Sequence, residues 1–155
     1  ILYCSAEANS VYQADVVKAA LEEKGVTVTV YTFADSNDVA TVTQTACAEN
    51  DALYIPTDNT AASCTEAINN VAEPAGVPIV AGEEGICKGC GIATLSIDYY
   101  ELGKTTGAMA AKILTGEANV SEMPIEYYQN PVKKYDVARC EALGITVPAD
   151  YVAIG

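Results

Sequence analysis

The chain has 155 residues, half of them apolar, which is enough to bury one hydrophobic core and argues against disorder. With 21 acidic and 8 basic residues its formal net charge is −13, so it lacks the basic face with which nucleic-acid-binding proteins displace phosphate counterions. It contains no histidine, which excludes Ser-His and Cys-His catalytic pairs and imidazole metal sites.

The first part of the chain alternates strand and helix patterns. The apolar run Ile1–Cys4 predicts a strand, and Ser10 is a candidate N-cap for a helix over 11–24 that ends at Gly25. The alternating, β-branched run Val26–Tyr31 predicts a second strand.

The remaining elements continue this alternation. Helices are predicted from Ser36 or Asn37 to Asn50, over 60–73, over 98–115 and from Tyr135 to Leu143. Strands are predicted at 52–55, 77–80, 92–97 and 124–128, with a Gly-rich loop at 82–91. Helical stretches of this length give parallel pairing by right-handed crossovers. The expected fold is therefore a doubly wound parallel α/β sheet, in which the strands at 1–4, 26–31, 52–55 and 77–80 lie side by side.

Small polar and acidic residues follow four of these strands directly. They form the clusters Ser5–Ser10, Pro56–Thr60, Gly82–Glu84 and Ser96–Tyr100. Open α/β sheets bind ligands in the crevice beyond the carboxyl ends of their strands. The sequence therefore predicts a small-molecule site at this edge. The acidity of the chain favours ligands that carry an amine.

An enzyme is the competing class. Carboxylates at strand ends can hold Mg²⁺, as in receiver or phosphatase folds of similar shape. Such sites need an acidic pair after the first strand, together with a lysine or a nucleophilic aspartate, and here the first strand ends in Cys4-Ser5. The chain has no Walker-type loop or GxGxxG motif, and no cofactor is expected. No apolar run approaches the roughly 18 residues of a membrane span.

Six cysteines occur, at positions 4, 47, 64, 87, 90 and 140. Cys4, Cys47 and Cys64 are predicted to be small buried hydrophobes. Cys87 and Cys90 form a CxxC, whose spacing suits a redox pair or half of a zinc site. The surrounding glycines place this motif in a loop, and no second CxxC completes a tetrahedral site. A structural or incidental role is favoured, with a labile loop disulfide as the alternative.

Several strings in the chain resemble one known family. They are Ser5–Ser10, Tyr54–Thr60, Gly82–Glu84, Gly91–Gly103, Met109–Leu114, Pro124–Glu126 and Ala142–Ile145. In this order they resemble the ABC-transporter substrate-binding proteins related to the tryptophan- and tyrosine-binding components. The resemblance covers essentially the whole chain. It departs at Cys87 and Cys90, where relatives tend to have glycine or other small residues.

The resemblance implies a periplasmic-binding-protein fold of the first type, in which two α/β lobes joined by a three-strand hinge close on the ligand. This chain would begin at the first strand of the second lobe, with residues 1–97 as its core. Residues 98–123 would form a helix that packs on the absent first lobe, and 124–155 would return to the second lobe. A chain that opens within a strand is interpreted as a piece of a longer protein, with any targeting segment upstream.

The resemblance also implies a function and a location. It implies an extracytoplasmic protein, periplasmic or anchored as a lipoprotein, that delivers a ligand to an ABC permease. The ligand would be an aromatic amino acid: tryptophan, tyrosine or phenylalanine. A ligand-sensing domain of a regulator or receptor has the same fold and is the alternative. One lobe alone is expected to bind ligand weakly or not at all. Helix 98–115 is expected to expose an apolar face that pairs with a second copy.

An amino acid needs an anion for its ammonium and hydrogen-bond donors for its carboxylate. The candidate ligand-binding residues are Asn9, Ser10, Thr57, Asp58, Asn59, Glu83, Glu84 and Asp98. The four acids among them are candidates to pair with the ammonium, and Asp98 is the leading one. Asn9, Ser10 and Thr60, together with N–H groups at helix starts, are candidates to donate to the carboxylate. Ser10 and Thr60 equally suit N-caps, and Asn59 suits a turn. Glu7 is expected to be solvated or to close the lobes, and Tyr99 and Tyr100 to stack on the ligand or pack inside.

Overall fold

The computed structural model describes residues 1–154, which form seven strands and seven helices that alternate except where α4 follows α3 directly. The strands are β1 (Leu2–Cys4), β2 (Tyr31–Phe33), β3 (Leu53–Ile55), β4 (Ile79–Ala81), β5 (Ala93–Ser96), β6 (Val132–Tyr135) and β7 (Val152–Ala153). The helices are α1 (Ala8–Glu23), α2 (Val39–Glu49), α3 (Asn59–Ser63), α4 (Thr65–Ala75), α5 (Glu84–Cys90), α6 (Tyr99–Leu114) and α7 (Val137–Ala142).

The strands pair mostly in parallel, which confirms the α/β class with helices flanking the sheet. β1 pairs with β2, β3 with β4, and β4 with β5, all in parallel, whereas β6 runs antiparallel to β5. The expected row of four adjacent strands is interrupted between β1 and β3, so that β1 and β2 form a separate two-stranded sheet. At this junction the Cys4 N–H donates to the Asp58 carboxylate at 2.8 Å rather than to the backbone of β3.

The main core lies between the sheet and the helices α2, α4 and α5. It contains Leu2, Phe33, Val39, Leu53, Ile55, Ile68, Ile79 and Ile86, all at most 2 % exposed. Helix α1 covers the opposite face of β1, where Ala14 packs with Ile1 and Tyr3. Burying both faces of β1 fixes its position relative to the helices that begin at its carboxyl end.

The second strand lies further along the chain than the sequence predicted. The prediction of a strand over Val26–Tyr31 was wrong, because only Tyr31–Phe33 pairs with β1. The ladder starts beside the first residue, where the Ile1 amino group donates to the Thr29 carbonyl at 2.7 Å. Residues 26–30, before Tyr31, are irregular.

The predicted Gly-rich loop at 82–91 is a helix. Helix α5 has an acidic N-cap, Glu83, and buries Ile86, Cys87 and Cys90 on one face. Its glycine at position 89 permits close packing, since a Cβ there would lie 2.4 Å from the Thr65 side chain. All six cysteines of the chain are free thiols, five of them buried and Cys64 half-buried. Burial raises the pKa of both CxxC thiols to about 12.

Smaller corrections concern helix ends and the final strand. The predicted helix 60–73 is two helices, α3 and α4, and α4 includes Pro74 in its last turn before Gly76. The strand expected at 124–128 is absent from that segment, which is irregular, and the chain returns to the sheet at β6 instead.

Helix α6 differs from the other long helices because none of its 16 residues is buried. Leu114 is 86 % exposed and Ile113 37 % exposed, and the remaining apolar side chains of the helix are also wholly or partly accessible. Within residues 1–154, no helix combines the length and the apolarity needed to cross a membrane.

Candidate functional site

Four helices begin at one edge of the molecule, where the strands β1, β3, β4 and β5 end. α1 follows β1, α3 follows β3, α5 follows β4 and α6 follows β5. The loops between these elements, together with the first turns of the helices, contain all eight residues predicted from the sequence as ligand contacts. We call this surface the binding edge, and define it by residues 5–10, 56–60, 82–84 and 98–100.

Thr57 links the first two loops of the binding edge. Its carbonyl accepts hydrogen bonds from the Asn9 amide at 2.8 Å and from the Ser10 hydroxyl at 3.5 Å. Its N–H donates to the Gln13 side chain at 3.0 Å, and its hydroxyl donates to the Gly82 carbonyl at 3.3 Å. Ser10 is buried inside α1, so the prediction that it caps this helix was wrong.

Glu7 makes the densest set of hydrogen bonds on the binding edge. One carboxylate oxygen accepts from the N–H and the side-chain amide of Asn59, at 2.9 and 2.8 Å. The other accepts from the N–H and the hydroxyl of Thr60, both at 2.8 Å. Partial burial raises the pKa of this carboxyl, but the four hydrogen bonds outweigh it and bring the pKa to about 2. Glu7 is thus tied to the start of α3 within this lobe, and its expected part in closing the lobes stays a prediction.

Asp58 is 1 % exposed and supports the edge from below. One of its oxygens accepts the Ala61 N–H at 2.7 Å and so caps α3, and the other accepts the Cys4 N–H at 2.8 Å. Both oxygens thus satisfy backbone donors, and the side chain offers a ligand almost no surface. Asn59, next in the chain, is exposed but holds Glu7.

The two glutamates after β4 have different partners. Glu83 caps α5 by accepting the N–H groups of Gly85 and Ile86. Glu84 forms an ion pair with Lys134 of β6, with a nitrogen–oxygen distance of 2.5 Å. Both side chains are half-buried, so part of each remains accessible at the edge.

Asp98 is the exposed acid at the end of β5. One of its carboxylate oxygens accepts the N–H groups of Tyr100 and Glu101, at 2.9 and 3.1 Å, and caps α6. Tyr99 and Tyr100 are 55 % and 75 % exposed, so they do not pack in the interior. Partial burial and then the charge of Glu83 raise the pKa of Tyr99.

The helix starts at the binding edge differ in how they are capped. α3, α5 and α6 each have a carboxylate that accepts their first N–H groups, whereas α1 has no side-chain cap. The first N–H groups of a helix have no partners within it and carry partial positive charge. The N–H groups at Ala8 and Asn9 therefore have no capping side chain and are donors that this edge offers to an anion.

Two grooves, of about 410 and 280 Å³, lie away from the binding edge, the first beside Lys88 and Arg139 and the second beside Ile1 and Leu21. Among residues 1–154, no group of three or more Cys, Asp or Glu side chains is arranged to hold a metal ion.

The family of ABC transporter substrate binding proteins matches residues 1–153. The chain belongs to this family. It is 30 % identical over 125 residues to a tyrosine-binding protein of Clostridioides difficile (strain R20291), a match that covers 81 % of this chain and 36 % of that protein.

Solved structures give the same result for the fold. The chain resembles an ABC domain in complex with L-Trp from Streptococcus pneumoniae, with a TM-score of 0.88 and 29 % identity over 96 % of this chain and 50 % of that one. It also resembles the ligand-free, open structure of a substrate-binding protein with adhesive properties from Clostridium difficile, with a TM-score of 0.75 and 31 % identity. This match covers 99 % of this chain and 53 % of that one. It resembles a conserved domain protein from Vibrio cholerae as well, with a TM-score of 0.89 and 28 % identity; this match covers 98 % of this chain and 52 % of that one. The chain thus spans between about a third and a half of the length of these relatives.

Sequence reasoning missed Glu7 and Gln13. Gln13 lies four residues after Asn9, so the two share a helix face, and that spacing is a signal the sequence does contain. Glu7 has no comparable signal, because its partners lie 52 and 53 residues away along the chain.

Proposed function

We propose that this chain is one lobe of an extracytoplasmic solute-binding protein that delivers an aromatic amino acid to an ABC permease. Family membership supports the class of protein, and the relatives named for tyrosine and bound to L-Trp support the kind of ligand. The relatives are two to three times as long as this chain, which supports a second lobe that completes the pocket.

The observation that carries this proposal is the uneven capping of the binding edge. An amino acid brings one carboxylate and one ammonium, and the edge offers one uncapped helix start, at α1, and one exposed acid, Asp98. The ligand carboxylate would accept from the N–H groups at Ala8 and Asn9. The ammonium would pair with Asp98, with the accessible parts of Glu83 and Glu84 adding negative potential.

The other candidate residues take supporting parts in this proposal. Asp58 holds α3 against β1, and Ser10 and Thr57 hold α1 against the second loop. Asn9 and Asn59 are exposed and line the edge beside the ligand. The exposed rings of Tyr99 and Tyr100 are the surfaces on this lobe against which an aromatic side chain can stack.

We also propose that residues 98–123 cross to the first lobe. Helix α6 buries none of its residues here, as expected of a helix whose packing partner lies outside the chain. When this lobe is alone, Leu102, Met109 and Ile113 would instead pair with the same helix of a second copy.

The test is calorimetric titration of the full-length protein with the twenty amino acids. Tryptophan, tyrosine or phenylalanine should bind, and the 155-residue lobe alone should give no heat. Asp98→Ala should weaken binding by about 2–4 kcal/mol, or roughly 30- to 1000-fold, because it leaves the ammonium without its anion.

A matched control is Asp136→Ala. Asp136 caps α7 as Asp98 caps α6, but it lies beyond the amino end of β5, away from the binding edge. Its loss should leave affinity within twofold. Losses below threefold for Asp98→Ala would move the ammonium site to Glu83 or Glu84. A protein that binds no amino acid would refute the proposed ligand class.

A further inference from the structure

Glu7 joins two loops of the binding edge that are far apart in sequence. Its carbonyl accepts the N–H groups of Ser10 and Val11 and so starts α1. Its carboxylate holds the start of α3 through four hydrogen bonds of 2.8–2.9 Å. One residue therefore connects the uncapped start of α1 to the loop after β3.

We propose that Glu7 is a positioning residue for ligand binding, which holds the uncapped start of α1 in the geometry that receives the ligand carboxylate. This inference rests on the proposed function. It adds that the affinity of the site depends on a side chain that does not touch the ligand.

The hydrogen-bond inventory explains why an ionised carboxylate is needed. The Asn59 and Thr60 groups facing Glu7 act as four donors, and a carboxylate is a side chain that can accept from all of them without offering a proton. Glutamine has the same shape, but its NH₂ would face two donors. Glu7→Gln therefore breaks at least the hydrogen bond from the backbone N–H that faces the new NH₂, with little change in volume.

The positioning role of Glu7 and its negative charge predict opposite changes in ligand affinity for Glu7→Gln. The sign of the measured change therefore tests the inference. Glu7 bears a negative charge next to the place proposed for the ligand carboxylate, so an electrostatic role alone would oppose binding. If charge dominated, Glu7→Gln would strengthen binding. If position dominates, the loosened loop must be ordered when the ligand binds, and binding weakens.

The groups around the Glu7 carboxylate favour the positioning role over the electrostatic one. Its charge is met by the donors at the start of α3, and the Asp58 carboxylate in that loop is occupied by the N–H groups of Cys4 and Ala61. Gln13 and Asn9 hold the same loop through Thr57, so the remaining contacts keep the fold when Glu7 is changed.

The experiment is calorimetric titration of the full-length protein with L-tyrosine and L-tryptophan at pH 7. Glu7→Gln should weaken binding of whichever amino acid the wild type binds by about tenfold. Asp136→Asn is the matched control, since it removes a helix-capping carboxylate at the opposite edge. It breaks the ion pair between Asp136 and Arg139, whereas asparagine can still cap α7, and it should leave affinity within twofold.

A second measurement tests the cause. Hydrogen exchange of the ligand-free protein should show faster exchange at the Asn59 and Thr60 amides in Glu7→Gln and unchanged exchange there in Asp136→Asn. A Glu7→Gln protein that binds equally or more tightly would overturn this inference and leave the proposed function intact. A wild type that binds no amino acid would overturn both.

Discussion

Helices α5 and α6 begin alike and lie in opposite environments. Each follows a strand of the same sheet, and each is capped by a carboxylate, Glu83 for α5 and Asp98 for α6. Three of the seven residues of α5 are buried, whereas none of the 16 residues of α6 is. Local sequence therefore specifies where both helices begin, and the presence of a packing partner specifies what they bury.

The glycines of α5 and α6 show the same difference in packing. A Cβ at Gly89 of α5 would lie 2.4 Å from the Thr65 side chain, while a Cβ at Gly103 or Gly107 of α6 would meet nothing within 4 Å. A glycine inside a helix costs roughly 0.5–1 kcal/mol relative to alanine. In α5 close packing against α4 offsets this cost, and within this chain nothing does so for α6. The comparison supports the proposal that α6 packs against a surface outside this chain.

Thiol reactivity should show the largest difference between the two helices. A pKa raised from 9.0 to about 12 lowers the thiolate fraction of Cys87 and Cys90 at pH 8 roughly a thousandfold, because each pH unit changes it tenfold. A cysteine introduced by Leu114→Cys, at an 86 % exposed position, should react freely. Mass spectrometry of peptides labelled with a disulfide reagent measures both rates. Fast native labelling of Cys87 or Cys90 would contradict the buried face of α5.

Gly89→Ala should give the largest change in stability. The added methyl group has no space against Thr65, and the net loss should be about 1–3 kcal/mol in the free energy of unfolding, despite the better helix propensity of alanine. Urea unfolding of the 155-residue chain followed by circular dichroism measures it. Thr65→Gly combined with Gly89→Ala should recover part of the loss, since it returns the space. A neutral single variant would show that α4 and α5 pack less closely than described.

Association of the isolated lobe tests the exposed face of α6. The 155-residue chain should form a dimer at tens of micromolar in sedimentation experiments, and Leu102→Glu or Ile113→Glu should weaken it about tenfold by placing a charge in the apolar contact. Val16→Glu, at a 52 % exposed position of α1, is the matched control and should have no effect. A monomer with α6 folded back onto its own sheet would contradict the proposed crossing to the first lobe.

The sequence predicted most of the fold because strand and helix periodicity reflects burial. It was wrong where burial depends on a distant partner. Val26–Tyr31 alternates as a strand should, but only its last residue faces β1. The glycines near Cys87 indicated a loop, whereas one of them serves contact with Thr65, a residue 24 positions earlier.

Prediction of the candidate site from the sequence has the same limit, because distant partners decide which side chains are exposed. The clusters after the strands predicted the binding edge, because parallel strands end together. The sequence could not distinguish Asp98, which is exposed, from Asp58, which is buried beneath Cys4 and Ala61, since both follow a strand and precede a helix. Glu7 looked like a solvated acid because its partners at 59 and 60 are brought to it only by the fold.

Gly107→Ala should give the smallest change in the free energy of unfolding. The sign of that change should differ between the 155-residue lobe and the full-length protein. In the 155-residue lobe, at concentrations too low for the predicted dimer, the new methyl group meets nothing within 4 Å, so alanine should stabilise α6 by about 0.5–1 kcal/mol. In the full-length protein, α6 is proposed to lie against the first lobe, and the same methyl group should lower stability instead. Chemical unfolding of both lengths, with Ala110→Ser as a control on the exposed part of the same helix, measures the two signs. Stabilisation in both would mean that no surface approaches Gly107, and the proposed crossing of residues 98–123 would then have to be abandoned.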